Sequence, residues 1–184
     1  MAKQENQRVT LTKRLLKEGL LRLLETKSLD SISVTELCRE AGINRATFYN
    51  HYDSPQGLLT ELEQRMKREM ELLVSKPSSK EDMIRQLEAI CIYMKNNEKT
   101  LRVLIQCHAD DDLADIFNRL DRSFTSQRIG SKQSSLDTDS IHLVSTFLYA
   151  GSYNLIMEWL IRDIPKSPRQ IAELVLSIIS KDYL

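Results

Sequence analysis

Arg45, Ala46, Thr47, Tyr49 and Asn50 carry the most specific chemistry in this chain. Phe48 and Tyr52 lie four apart and face inward on a predicted helix, which turns those residues outward. The outward set is short, polar and aromatic, with one cation. It suits contacts to phosphate oxygens and base edges better than it suits catalysis. Thr35, exposed near the start of the preceding predicted helix, is placed to touch a phosphate backbone. His51 has two readings, a phosphate ligand or a histidine packed between helices. No Ser-His-Asp order, glycine-rich phosphate loop or paired-carboxylate motif stands out, so an enzyme is not expected.

The elements that must position these residues are two short helices joined by a tight glycine turn, a shape that fits a DNA major groove. Ser33 and Glu36 have capping-box spacing. Val34, Leu37, Cys38 and Ala41 then recur at helical spacing and form one buried stripe. Gly42 stands at the helix end, where a left-handed residue is cheapest. Asn44 is a good N-cap for the second helix, which is expected to run to about Tyr52. An earlier helix spans roughly 8–26, with Leu16, Leu20, Leu23 and Leu24 on one face. Ser54 and Pro55 read as the cap and first position of a fourth helix, about 55–74.

Charge is balanced overall, with 26 bases and 26 acids, but its distribution matters more than its sum. Residues 1–17 hold Lys3, Arg8, Lys13, Arg14 and Lys17 against Glu5 alone, a local balance of +4. Lys13 and Arg14 are therefore expected to meet DNA phosphates.

The motif resembles the DNA-binding region of the tetracycline-repressor (TetR) family of transcription regulators. The matching residues are Thr47-Phe48-Tyr49, His51-Tyr52, the Ala41-Gly42-Ile43 turn and the leucine-rich helix before them. The resemblance covers about residues 8–60 and favours the phosphate reading of His51. It implies a helix-turn-helix head that binds double-stranded operator DNA. The chain departs from the family pattern at Lys27-Ser28, where glycine is usual. It departs again at Pro55, where the family commonly has a phosphate-contacting lysine.

Beyond a break expected at 75–79, helices are expected over 80–96, 98–108 and 111–127, followed by a polar loop from Ser126 to Asp139. From about Ser140 to Arg162, Ile141, Val144, Leu148, Leu155 and Trp159 form one apolar ridge. Leu143, Phe147, Ala150, Met157 and Ile161 form another. A helix apolar on two sides needs two burying surfaces. Ser167 and Pro168 then start a final helix with Ile171, Leu174, Val175, Ile178 and Ile179 on a broad stripe. Two such helices could pair with the same two of a second subunit in a four-helix bundle. The expected dimer interface is thus Ile141, Val144, Leu148, Leu155, Trp159, Ile171, Leu174, Val175 and Ile178. The run from Gly151 through Glu158-Trp159-Leu160 to Pro165-x-Ser167-Pro168 also resembles the C-terminal region of a regulator subgroup common in Gram-positive bacteria.

The family resemblance raises the chance of a pocket for a small apolar effector, with Tyr93, Met94, Phe117, Phe147, Tyr153 and Met157 as candidate lining. Those residues serve a helical core equally well. His108 beside Asp110, Asp111 and Asp112 raises a metal reading, but a solvated helix N-terminus explains the run and no metal is expected. Cys91 and Cys107 could form a redox switch, although buried packing is the commoner use. The cysteines, at 38, 91 and 107, are odd in number and lack metal-type pairing. The N-terminus lacks the apolar core of a signal peptide, and no apolar run approaches a membrane span. A cytoplasmic location follows as the simplest expectation, with no cofactor and no membrane.

Together these features predict an all-α chain. Residues 1–54 form a three-helix head carrying the helix-turn-helix at 33–52, and 55–184 form a ligand-binding and dimerisation body. The expected function is a homodimeric repressor on a palindromic operator, released by an effector. An activator or co-activator that binds a partner protein is the first alternative. A helical adaptor without DNA binding is the second.

Overall fold

The computed structural model describes residues 2–73, 77–107 and 137–182 of the 184. The predicted helix at 111–127, Phe117, the His108–Asp112 run and most of the polar loop lie outside the described residues. Among the described residues the chain is all-helical, with no strand. Its elements are α1 (Ala2–Leu24), a 3-10 turn (Leu29–Ser31), α2 (Val34–Ala41), α3 (Arg45–Tyr49), α4 (Pro55–Glu71), α5 (Lys80–Asn96), α6 (Glu98–Cys107), α7 (Thr138–Ile161) and α8 (Pro168–Asp182).

Short polar side chains start these helices. Ser33 Oγ accepts from Glu36 N at 3.2 Å, and Asn44 Oδ1 accepts from Thr47 N at 2.7 Å. Ser54 caps α4 through Gly57 N, Ser79 caps α5 through Asp82 N, and Asp137 caps α7 through Ser140 N. At α8 the capping box is reciprocal. Ser167 Oγ accepts from Gln170 N at 3.2 Å, while Ser167 N donates to Gln170 Oε1 at 2.9 Å. Each such cap satisfies an orphan amide and contributes about 1 kcal/mol.

The fold divides into two compact units, and the division falls inside α4. One unit takes α1 to α4 as far as Met66, together with α6 from Lys99. Its core is Leu16, Leu20 and Leu24 of α1, Leu37, Cys38 and Ala41 of α2, Phe48, Tyr52, and Leu58, Leu59, Leu62 and Met66 of α4. Burial of those α4 side chains is why the helix stays with the head past residue 54. Lys27 stands where the resemblance puts glycine, and the turn forms without left-handed backbone there. Its ammonium donates instead to Glu36, and Arg22 donates to Glu40, so both ends of α2 are tied to the α1 side.

The other unit holds the rest of α4, α5, α7 and α8, with α5 packed most extensively on α8. Ile90, Cys91 and Met94 of α5, Ile156, Met157, Trp159 and Leu160 of α7, and Ile171, Ala172, Val175 and Leu176 of α8 are buried. Arg169 at the start of α8 pairs with Glu81 and Glu88 of α5 and with Glu173 of its own helix. The buried Trp159 indole donates to Lys166 O at 3.0 Å, closing the turn between α7 and α8. That turn passes through Asp163, at φ 46°.

Candidate nucleic-acid interface

The helix-turn-helix is built as its spacing requires. Leu37, Cys38 and Ala41 bury one side of α2, and Val34 is half-buried. Gly42 takes φ 67° and ψ 29°, a left-handed geometry that costs a glycine little. Asn44 then caps α3. That helix is shorter than the periodicity suggests and ends at Tyr49, although the amides of His51 and Tyr52 still donate to Phe48 O at 2.9 Å.

Phe48 is fully buried and Tyr52 nearly so, which leaves Arg45, Ala46, Tyr49 and Asn50 exposed and Thr47 half-buried. Tyr49 is 50% exposed, with its ring edge-on to Phe48 at 5.6 Å. The exposed face therefore offers a guanidinium, a phenol and an amide on a rigid aromatic base. Thr35 is exposed on α2. His51 is half-buried, with its ring 6.4 Å from that of Tyr52. Burial holds the Cys38 thiol above its ordinary pKa despite nearby Arg45.

The two basic residues of α1 are placed differently from each other. Arg14 is exposed, at 3.8 Å from Glu18. Lys13 is engaged within the head, donating to both oxygens of Glu61 at 3.0 and 2.9 Å and lying 5.3 Å from the Tyr52 ring centroid. Sequence spacing gives no sign of this pair, because its members are 48 residues apart.

In the second unit, Met94 and Met157 are buried. The Tyr93 hydroxyl donates to Glu69 at 2.8 Å, and Tyr153 is half-buried. Phe147 is 70% exposed, so it faces outward instead of lining an interior. Of the residues expected at a subunit interface, Leu148, Trp159, Ile171 and Val175 are buried within the protomer itself. A side chain already removed from water has little area left to offer a second copy. Val144 and Leu155 are half-buried, while Leu174 and Ile178 are exposed, and Ile141 has no described side chain. Leu143 is exposed as well, at 68%. Among the described residues no helix is long and apolar enough to cross a membrane.

Comparison with known proteins covers both units. Residues 18–62 match the family described as "Bacterial regulatory proteins, tetR family", and residues 81–181 match "Transcriptional regulator C-terminal region" of the same family. No protein of curated function matches the sequence. The fold is similar to that of a TetR transcriptional regulator from Streptococcus agalactiae 2603V, at 17% identity over 97% of this chain and 99% of that one, with a TM-score of 0.63. It is similar to the dihydroxyacetone kinase operon activator DhaS, at 15% identity over 94% and 96% of the two chains and a TM-score of 0.60. It is also similar to NalD, the secondary repressor of the MexAB-OprM multidrug efflux pump in Pseudomonas aeruginosa, at 18% identity over 91% and 94% and a TM-score of 0.60. At such identities these likenesses concern the fold alone. With both family matches together spanning the head and the body, the chain belongs to the TetR family of DNA-binding transcription regulators.

Proposed function

We propose that the protein is a dimeric repressor that reads a palindromic operator through α3. The observation that carries this reading is the division of labour within residues 45–52. Phe48 and Tyr52 hold the helix, while Arg45, Ala46, Tyr49 and Asn50 face solvent beside Thr47. Thr47 and Tyr49 act at base edges, Asn50 beside them, and Arg45, His51, Thr35 and Arg14 act at phosphates, where contacts position the protein without specifying sequence. Lys13, bound to Glu61, serves the head's own architecture first.

The exposed Leu174 and Ile178 of α8, with Leu143 and Phe147 of α7, support a second copy of the chain as the partner of the body. A twofold dimer would hold its recognition helices roughly 34–36 Å apart, one DNA turn. The buried Met83, Met94 and Met157 support an apolar effector, because unbranched thioethers repack readily around a ligand. Such a ligand would shift DNA affinity only by its differential affinity for two conformations. Repression would follow from occupying DNA that polymerase needs.

A gel shift on the gene's own upstream DNA tests the reading. Tyr49→Ala or Thr47→Ala should weaken binding by about 1–3 kcal/mol at fixed salt without loss of helicity. Unchanged affinity in both variants would remove α3 as the reading element. Ile178→Glu should give monomers in sedimentation and end cooperative operator binding; a monomeric wild-type protein at micromolar concentration would refute the dimer. A reporter fused to the bound promoter gives the sign, since activation in its presence would replace repression.

A further inference from the structure

The bases of α1 that the sequence offers to DNA already hold carboxylates in the folded head. Lys13 donates to both oxygens of Glu61 at 3.0 and 2.9 Å, and Arg14 lies 3.8 Å from Glu18. The two pairs differ in kind. Arg14 and Glu18 are one turn apart on one helix, a spacing that brings such residues together on any helix surface. Lys13 of α1 and Glu61 of α4 are 48 residues apart and meet only through the fold. The Lys13 ammonium stands 5.3 Å from the Tyr52 ring centroid, and the His51 ring lies 6.4 Å from that same ring. A charged donor is thus held beside the C-terminal end of α3 with a carboxylate on it.

Two anionic oxygens at hydrogen-bond distance from an ammonium are also what a backbone phosphate offers. The side chains of Lys13 and Glu61 are 38% and 40% exposed, so solvent screens the pair and it adds little to stability. A weak pair exchanges easily. Duplex DNA presents a close row of phosphates, and the flexible lysine stem can turn from one oxygen to another while the helix backbone stays in place. Glu61 keeps a base within reach as well, because Arg65 stands one helical turn further along α4.

We propose that Glu61 occupies Lys13 in the unbound head in place of a DNA phosphate, and that Lys13 exchanges this carboxylate for phosphate when the head meets DNA. Glu61 thereby restrains the general affinity of the protein for nucleic acid. Phosphate contacts carry no sequence information, so the restraint acts on every duplex. The inference rests on the head binding DNA, and it holds whichever residues of α3 read the bases.

The test uses the full chain and one duplex of arbitrary sequence, with affinity read by fluorescence anisotropy across a range of salt. Glu61→Gln should bind about two- to fivefold more tightly at fixed salt, and its log affinity should fall more steeply with log salt, by about one in slope. Lys13→Gln should bind more weakly, with a shallower slope. Glu61→Gln should gain less when Gln already stands at position 13, because no ammonium is then released. Equal gains in the two backgrounds would leave only a change of net charge and overturn the exchange. Wild-type affinity and slope in either single variant would overturn it too. The urea midpoint of Glu61→Gln should stay near that of wild type; if it falls, the slope of Lys13→Gln still decides. A wild-type protein that binds no duplex even at low salt would remove DNA binding by the head and this inference with it. If wild type binds with a salt-dependent affinity that the variants share, only the exchange falls.

Discussion

Gly19 lies inside α1 against Ala41 of α2, and the closeness of that approach can be measured by closing it. A Cβ at position 19 would stand 3.1 Å from the Ala41 Cβ, 3.2 Å from its amide nitrogen and 3.3 Å from its Cα. Carbon atoms prefer roughly 3.5–4.0 Å, so the helices must part by some tenths of an ångström, and helix backbone is what has to move. Two effects compete. Replacing glycine by alanine within a helix gains about 1 kcal/mol of intrinsic propensity. Overpacking a tight buried contact costs about 1–3 kcal/mol. Gly19→Ala should therefore lose up to about 2 kcal/mol. Gly57 in the first turn of α4 provides the control, because a Cβ there meets only Ser54 Oγ at an ordinary 3.6 Å. Gly57→Ala should gain about 0.4–1 kcal/mol, chiefly by restricting the unfolded chain. Both glycines belong to the unit that contains α1 to α3, and the single tryptophan, Trp159, belongs to the other. Urea unfolding followed by far-UV circular dichroism is the suitable assay. The two midpoints should move in opposite directions at constant slope. Equal stabilisation by both substitutions would refute the close approach of α1 and α2.

Other perturbations reach the second unit. Asp163 holds a left-handed backbone at the turn after α7, so Asp163→Gly should leave stability level or raise it, whereas the β-branched Asp163→Val should cost about 1–2 kcal/mol by Trp159 fluorescence. The hydrogen bond from Arg169 holds the Glu81 carboxyl below its ordinary value of 4.5. A folded pKa below the unfolded one stabilises fully above the unfolded value and loses that contribution as pH falls through the folded value. Acid should thus destabilise wild type more steeply than Glu81→Gln below about pH 5, read as urea midpoint against pH. Burial pushes the Cys91 thiol up to about 12 and raises that of Cys38, so both should resist alkylation at about pH 8 until urea unfolds the protein, as peptide mass spectrometry would show.

Helix starts were legible because each is written within a few residues. Ser33, Asn44, Ser54 and Ser167 cap where the sequence puts them, and Gly42 supplies the left-handed turn. Partnerships between distant segments were not. Lys13 reads as one of several bases in an N-terminal arm, and nothing local marks Glu61 as its partner. Nothing in the sequence marks Gly19 as the place where α1 lies against Ala41 of α2 with no room for a Cβ. The body shows a third limit. Periodicity reports that α7 and α8 are broadly apolar, but not which part of that surface faces the protomer's own core. Ala172 and Leu176 extend the buried face of α8 away from Leu174 and Ile178, and Trp159 turns inward to bond the Lys166 carbonyl. The surface left for a second copy is narrower than the apolar ridge from which it was expected.

The face proposed to read DNA presents the same distinction in its sharpest form. A helix of five residues cannot sustain itself, since fixing its first turn costs more than its few hydrogen bonds return. The conformation of α3 is imposed from outside, by Gly42 and Asn44 at one end and by the burial of Phe48 and Tyr52 at the other. Phe48 and Tyr52 are buried while Arg45, Ala46, Tyr49 and Asn50 face solvent, and the rings of Phe48 and Tyr49 meet edge-on at 5.6 Å. Replacing Arg45, Ala46 or Asn50 should therefore have little consequence for the fold, because these side chains are exposed. Tyr49 is the exception, since its ring belongs to both sets. If α3 reads DNA as proposed, a change at Tyr49 should alter both what the helix contacts and how firmly that contact is held, and its loss should be felt on every duplex that depends on a fixed ring at that place.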